Sequence, residues 1–159
     1  MLLREIKPED NAQIEAIMRS CFIEFDLPFV GSSIEDDEVT QMFEGFQEER
    51  SVYFVVEENN EIVGGGGIKQ LSGATEDICE LQKMYFKPEA RGRGFGRLVF
   101  EACMEAAKKF DYKTCYLESA SPLKTAIKLY ERNGFEHLNQ PMGNTGHVIC
   151  GVWMAKSIV

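Results

Sequence analysis

The sequence predicts an α/β (α+β) domain with a mixed central sheet and helices packed on it. Three observations carry that class. β-rich runs at 52–57, 62–68 and 78–86 follow one another with short polar turns between them, as in an antiparallel set. From Ile78 to Leu117 the pattern goes strand, helix, strand, which is a parallel crossover unit. Between that strand and its helix lies Arg91-Gly92-Arg93-Gly94-Phe95-Gly96, a glycine-rich turn opening directly into a helix N-terminus.

The elements follow in order. Leu3 to Ile6 is a short strand. Pro8-Glu9-Asp10 starts a helix, with proline in its first turn and acids where the helix dipole favours them. Ile14, Ile17, Met18, Cys21 and Phe22 continue it at helical spacing. Phe25 to Ser33 breaks the pattern with Pro28 and Gly31 and reads as a loop, unusually apolar for a linker. Glu35 to Phe46 reads as a second helix with an acidic first turn.

Val52–Glu57 and Ile62–Ile68 form a hairpin across Glu58-Asn59-Asn60-Glu61. Its second strand holds four consecutive glycines, Gly64 to Gly67. No helix follows them, so they are not a dinucleotide fingerprint. Either another chain segment approaches closely there, or the strand bulges. Ser72–Asp77 is a turn, and Ile78–Phe86 is the third strand of the set. The helix from Phe95 to Phe110 presents Leu98, Val99, Ala102, Cys103 and Ala106 as its apolar stripe. Thr114–Leu117 is a strand, and Thr125–Arg132 is a helix stopped by Asn133-Gly134. Phe135–Leu138 and Val148–Met154 are closing strands, joined by a loop from Asn139 to His147. No repeat or linker divides the chain, so residues 1–159 are read as one domain.

Composition narrows the function. A formal net charge of −9 disfavours nucleic acid as a partner, because phosphate contacts need a basic surface. Five basic residues nevertheless fall between Lys83 and Arg97, which suits a small anionic ligand. No apolar run is long enough to span a membrane, and the N-terminus does not read as a signal peptide. A cytoplasmic location is expected. Cys21, Cys79, Cys103, Cys115 and Cys150 form neither a disulfide pattern nor a zinc motif, and no metal site is expected.

The glycine-rich turn is where the chemistry starts. Glycines let the backbone come close to a ligand, and the first-turn N–H groups of the helix point outward at negative charge. Arg91 and Arg93 add charge-assisted donors. A phosphate-bearing ligand is the first inference.

With those motifs in place, the chain resembles the GCN5-related N-acetyltransferase (GNAT) family. The family signature of Arg or Gln, two residues, Gly, one residue, Gly or Ala is met by Arg91, Gly94 and Gly96. The stretch Thr125-Ala126-Ile127-Lys128-Leu129-Tyr130-Glu131-Arg132-Asn133-Gly134-Phe135 resembles the second acetyl-CoA segment. The resemblance implies the acyl-CoA N-acyltransferase fold: a sheet of about seven strands that splays into a V-shaped cleft, flanked by four helices. It implies acetyl-CoA as co-substrate, held along Met84, Tyr85 and Phe86 and around Arg91, Gly92, Arg93, Gly94, Phe95, Gly96 and Arg97, with Tyr130 at the sulfur. It also implies direct transfer to an amine in a ternary complex.

Amine acetylation needs a base for the nitrogen and an acid for the leaving thiolate. Glu80 is the first candidate base. Strand alternation places it on the face of Ile78, Gln82, Met84 and Phe86, where apolar neighbours would raise its pKa. Glu118, at the end of the next strand, is the second acidic candidate. Tyr130 matches the family's general acid, and a phenol stays protonated at neutral pH. His137 and His147 read as ordinary strand or surface positions. Phe22–Ser33 and Asn139–His147 are expected to line the acceptor side, for a small-molecule or peptide amine. A non-catalytic acyl-CoA sensor is the alternative, as is an enzyme taking a longer acyl chain or an O-acceptor, which bulk around Gly64–Gly67 and Met84 would discriminate. Pairing of closing strands would allow a homodimer.

Overall fold

The computed structural model describes residues 1–159. Seven strands form one sheet: β1 (Leu2–Glu5), β2 (Val52–Glu58), β3 (Glu61–Gln70), β4 (Ile78–Phe86), β5 (Thr114–Ser119), β6 (Glu136–His137) and β7 (Val152–Ser157). Their order across the sheet is β1-β2-β3-β4-β5-β7-β6. The helices are α1 (Asn11–Glu24), α2 (Met42–Gly45), α3 (Phe95–Lys109) and α4 (Lys124–Arg132). The mixed, helix-flanked sheet is the architecture the sequence predicts.

β1 to β4 are antiparallel, and the turn between β2 and β3 uses Asn59 and Asn60, both left-handed, as a tight hairpin requires. β4 and β5 are parallel, but they pair only through Ile78, Cys79 and Glu80 against Thr114, Cys115 and Tyr116. Beyond those residues the two strands diverge. The edge of β4 from Leu81 to Phe86 is left without a strand partner on that side, and this opens the V-shaped cleft.

The sheet separates two cores. On one side α3 buries Val99, Phe100, Cys103 and Ala107 against Val56, Ile68, Leu81 and Leu117. Its stripe is rotated from the expected one: Phe95, Phe100 and Met104 are buried, while Leu98 and Ala102 sit at the margin. On the other side α1 buries Ile14, Ile17, Met18, Cys21 and Phe22 against Tyr53, Val55 and Ile62.

Four local expectations are corrected. The helix expected over Glu35–Phe46 is two 3₁₀ turns (Ser33–Glu35 and Asp37–Thr40) followed by the single turn α2. Val39, Met42 and Phe46 are buried at helix-like spacing, which produced the helical pattern. Asp36 has extended backbone and interrupts it, its carboxylate being drawn to Lys83 and His147. β7 begins at Val152 rather than Val148, because Gly151 turns the chain at φ +80°. Residues 148–150 therefore belong to the preceding loop.

The third correction concerns β4, which does not alternate along its length. Lys83 sits at φ +53°, beside a register shift against Gly65–Gly67. This bulge turns Met84 and Phe86 onto the face of Leu81 and puts Tyr85 on the α1 side. Glu80 and Gln82 thus do not share a face with Met84 and Phe86. The fourth concerns the glycine run, where close approach and a bulge occur together. A Cβ on Gly64 would lie 2.1 Å from the Phe86 ring, and one on Gly65 would lie 2.5 Å from the Phe54 carbonyl oxygen. Gly66 and Gly67 are closed in the same way by Met84 and Tyr53. The glycines are sealed beneath these side chains and do not line the cleft.

Candidate active site

The divergence of β4 and β5 creates a cleft of about 550 Å³. Its walls are the Met84–Phe86 segment of β4, the glycine-rich turn, the start of α3, and α4 with Tyr130. Gly92 and Gly94 are left-handed, at φ +74° and +85°, and a Cβ at either would meet nothing within 4 Å. Glycine is required there by backbone conformation and not by crowding. None of the N–H groups from Gly92 to Arg97 donates to a backbone carbonyl. They form a run of free donors at the positive end of a fifteen-residue helix, which fits a pyrophosphate. The open edge of β4 fits an extended amide-bearing arm laid alongside it.

Each arginine from Arg91 to Arg97 is paired with a carboxylate. Arg91 donates to the Phe86 carbonyl oxygen at 2.9 and 3.1 Å and pairs with Glu24 at 2.5 Å. It ties the turn to α1. Arg93 pairs with Glu58 at 2.6 Å, and Arg97 with Glu101 at 2.8 Å. The donors of the turn with no protein partner are backbone N–H groups. Phe95 is buried and anchors the turn, while Gly96 leaves ordinary contact space toward Phe86. Phe25, expected on the acceptor side, lines this cleft and stacks under the Arg91 guanidinium, 5.1 Å from the ring centre.

Tyr130 packs between Phe100 and Phe135 and is 6% exposed. Tyr130 lines the cleft. Burial raises its pKa, so the phenol stays protonated and able to donate.

A second space opens beside Glu80. It measures about 390 Å³ and has no hydrophobic residue in its lining, which includes Asp36, Asp37, Glu38, Gln82, Thr145 and His147. A narrow neck of about 60 Å³ adjoins both spaces, with Glu80, Glu118, Tyr85 and His147 in its wall. Pro28, Ser32 and Ser33 come to this neck from one expected acceptor loop, and His147 comes from the other.

The structure brings Glu80 and Glu118 together at this junction and treats them oppositely. Glu118 Oε1 accepts from Thr145 Oγ1 at 2.6 Å and lies 3.2 Å from His147 Nδ1, while Oε2 accepts from the Tyr116 hydroxyl at 2.7 Å. Burial pushes its pKa up, but these donors outweigh that and hold it below the ordinary value. Glu80 is 6% exposed and accepts one hydrogen bond, from Gln82 Nε2 to Oε1 at 2.9 Å. Burial, and then the Glu118 charge, push its pKa up to about 7. Glu80 is in no ion pair, and burial raises its pKa as expected, although Met84 and Phe86 are not the neighbours that bury it.

The remaining charges are mutually paired. Lys83, whose side chain is 2% exposed, donates to Asp36 at 2.9 Å, Glu38 at 2.6 Å and Gln82 at 3.0 Å. Glu38 also pairs with Lys69. His147 Nε2 lies 2.9 and 3.0 Å from the two Asp36 oxygens. The sequence reading missed Lys83, Asp36, Thr145 and His147. A lysine between Gln82 and Met84 in the middle of β4 was the one available signal. His147 and Asp36 lie 111 positions apart, and no spacing rule links them. His137, by contrast, is an exposed strand position paired with Glu131. Glu118, His147 and Cys150 converge within 4.8 Å. Both His147 nitrogens are occupied by carboxylates, and burial pushes the Cys150 thiol up to about 12, so the group is an ion-paired cluster with an inert thiol.

The model of the acetyltransferase (GNAT) family matches residues 12–135. The chain belongs to the GNAT family. It is 40% identical over 158 residues to the uncharacterized N-acetyltransferase YjgM of Escherichia coli, covering 99% of this chain and 95% of that one. Among solved structures, a GNAT-family acetyltransferase from Staphylococcus aureus Mu50 superposes with a TM-score of 0.83 at 15% identity, over 99% of each chain. The structure of yncA from Salmonella typhimurium, solved with its cofactor acetyl-CoA, superposes with a TM-score of 0.80 at 19% identity, over 100% of this chain and 94% of that one. In this GNAT domain the two recognised segments, Arg91–Gly96 and Thr125–Phe135, face each other across the larger cleft. GNAT membership implies acetyl transfer from acetyl-CoA.

Proposed function

We propose that this protein transfers the acetyl group of acetyl-CoA directly to a primary amine in a ternary complex, with Glu80 as general base and Tyr130 as general acid. One observation carries the base assignment: Glu80 Oε2 is the one carboxylate oxygen among Asp36, Glu38, Glu80 and Glu118 with no donor from the protein. Glu80 lines both the neck and the polar space, with a pKa near 7. A base with that pKa takes a proton at neutral pH and returns it to water easily.

Acetyl-CoA supplies the activated thioester. The N–H groups of Gly92 to Gly96 and the helix dipole hold its phosphates, and the free edge of β4 orients the arm that carries the sulfur. The acceptor enters through the polar space, and its ammonium gives a proton to Glu80. As the N–C bond forms and the C–S bond breaks, the Tyr130 hydroxyl gives its proton to the departing sulfur, and the second proton shed by the acetylated nitrogen passes through water to restore the Tyr130 phenol. Glu118, saturated by three donors, shapes the wall of the neck. The wholly polar lining of the entry space supports a hydrophilic acceptor.

The reading includes a cytoplasmic location, supported by five unpaired cysteines. Pairing of two copies along the β6–β7 edge is kept within it, since β6 covers only Met154 and Ala155 of β7. The test is release of CoA thiol from acetyl-CoA across an amine panel, with mass spectrometry of each mixture. The expected result is one class of amine gaining a single acetyl group. Tight CoA binding with transfer to no amine, peptides included, would favour an acyl-CoA-binding module instead.

A further inference from the structure

His147 has no role in the reading above, yet it touches both sides of the junction. It comes from the loop before β7, Asp36 from the segment after α1, and Glu118 from the end of β5. Its side chain is 11% exposed and lines both the neck and the polar space. One ring nitrogen faces Asp36 and the other faces Glu118. Ionised carboxylates only accept, so the ring satisfies both partners only as an imidazolium donating from both nitrogens. Its own backbone N–H donates to Thr145 Oγ1 at 3.2 Å, and that hydroxyl donates to Glu118. The loop is thereby folded back onto the same carboxylate twice.

We propose that His147 is a positioning residue for acyl transfer: its ring clamps the loop before β7 to the segment after α1 over the junction, occupies Glu118, and leaves Glu80 as the one free carboxylate there. This rests on the proposed transfer chemistry. The groups facing the ring are Asp36 after α1, Glu118 on β5, Glu80 on β4, and Thr145 and Cys150 on its own loop. Lys83 reaches it only through Asp36. Hydrogen bonds to Asp36 and then Glu118 push the His147 pKa up to about 9, so the clamp is closed at neutral pH. The same positive charge acts on Glu80 and holds its pKa lower than burial alone would.

The decisive variant is His147→Asn. With the clamp open, the KM for the amine rises by about tenfold while the KM for acetyl-CoA stays within about twofold. With the cation gone, the acidic limb of kcat/KM moves to higher pH. His147→Lys restores a cation and brings the limb back toward its original position. A folded His147→Asn protein with unchanged amine KM and unchanged acidic limb overturns the proposal. NMR titration of the His147 ring in the unmodified protein tests the clamp without any variant or substrate. A midpoint near 9 is expected, and a midpoint near 6.5, the ordinary histidine value, overturns it. If no amine is acetylated, the functional reading fails by itself, while the ring titration still decides the clamp.

Discussion

The two sides of the junction are built in contrasting ways. The proposed acetyl-CoA side is made of backbone: free N–H groups of one continuous turn and the open edge of one strand. The proposed acceptor side is made of side chains from four separate segments, 36–38, 80–83, 116–118 and 145–150. A backbone site depends on a few glycines and a helix start, and it tolerates change in the side chains around it. A side-chain site depends on every donor finding its acceptor, because an unpaired charge that is buried costs several kcal/mol. Substitutions on the two sides should therefore separate cleanly in their kinetic signatures.

The largest expected effect is at the junction itself. Glu80→Gln should lower kcat/KM by about 10²–10⁴, the usual contribution of a positioned base, with acetyl-CoA affinity unchanged by calorimetry. Loss of acetyl-CoA binding in step with turnover would break the comparison. Tyr130→Phe comes next, with turnover reduced about tenfold to a hundredfold, since water entering the cleft replaces part of its donation. Unchanged turnover would remove Tyr130 from the chemistry.

Gly94→Ala tests the backbone side. Nothing obstructs the added Cβ, so the cost is the left-handed conformation alone, about 1–2 kcal/mol. Acetyl-CoA KM should rise about tenfold while amine KM stays constant. Arg97→Ala is expected to do least: the side chain is 73% exposed and its one ion pair is with Glu101, so acetyl-CoA KM should change by about twofold or less. A larger rise would show that this side chain, and not only the backbone, grips phosphate.

Stability against pH gives an independent reading of the junction. Glu80 has a folded-state pKa of about 7, against an ordinary value of 4.5. Below pH 4.5 it is neutral in both states and contributes nothing. As pH rises from 4.5 through 7 the unfolded chain ionises first, so the folded state is progressively disfavoured, and the penalty is complete above 7. Glu80→Gln should thus be more stable than the parent at pH 8, by about 1–3 kcal/mol, and equal to it at pH 4 by thermal melts. His147 has the opposite sign of benefit. Its pKa is raised from 6.5 to about 9, so its stabilisation is complete below 6.5 and lost as pH passes 9. His147→Asn should lose stability at pH 6 and little at pH 10.

Local signals read well where they were the cause of structure. The hairpin at Asn59-Asn60, the turn Arg91–Gly96 and the helix stop at Asn133-Gly134 follow from the backbone preferences of their own residues. They failed where a distant partner overruled them. Asp36 breaks a helical pattern because Lys83 and His147 hold it, and Lys83 bends β4 off its alternation. By itself, then, the amino-acid sequence determined the order of strands and helices, the glycine-rich turn at the start of α3 and the identity of Glu80 and Tyr130 as candidates, since each depends on neighbours within a turn or a strand. Only the tertiary structure decided that Glu80 rather than Glu118 keeps a free oxygen, and that His147 bridges Asp36 and Glu118, because those outcomes depend on which donors reach which carboxylates across more than a hundred residues of chain.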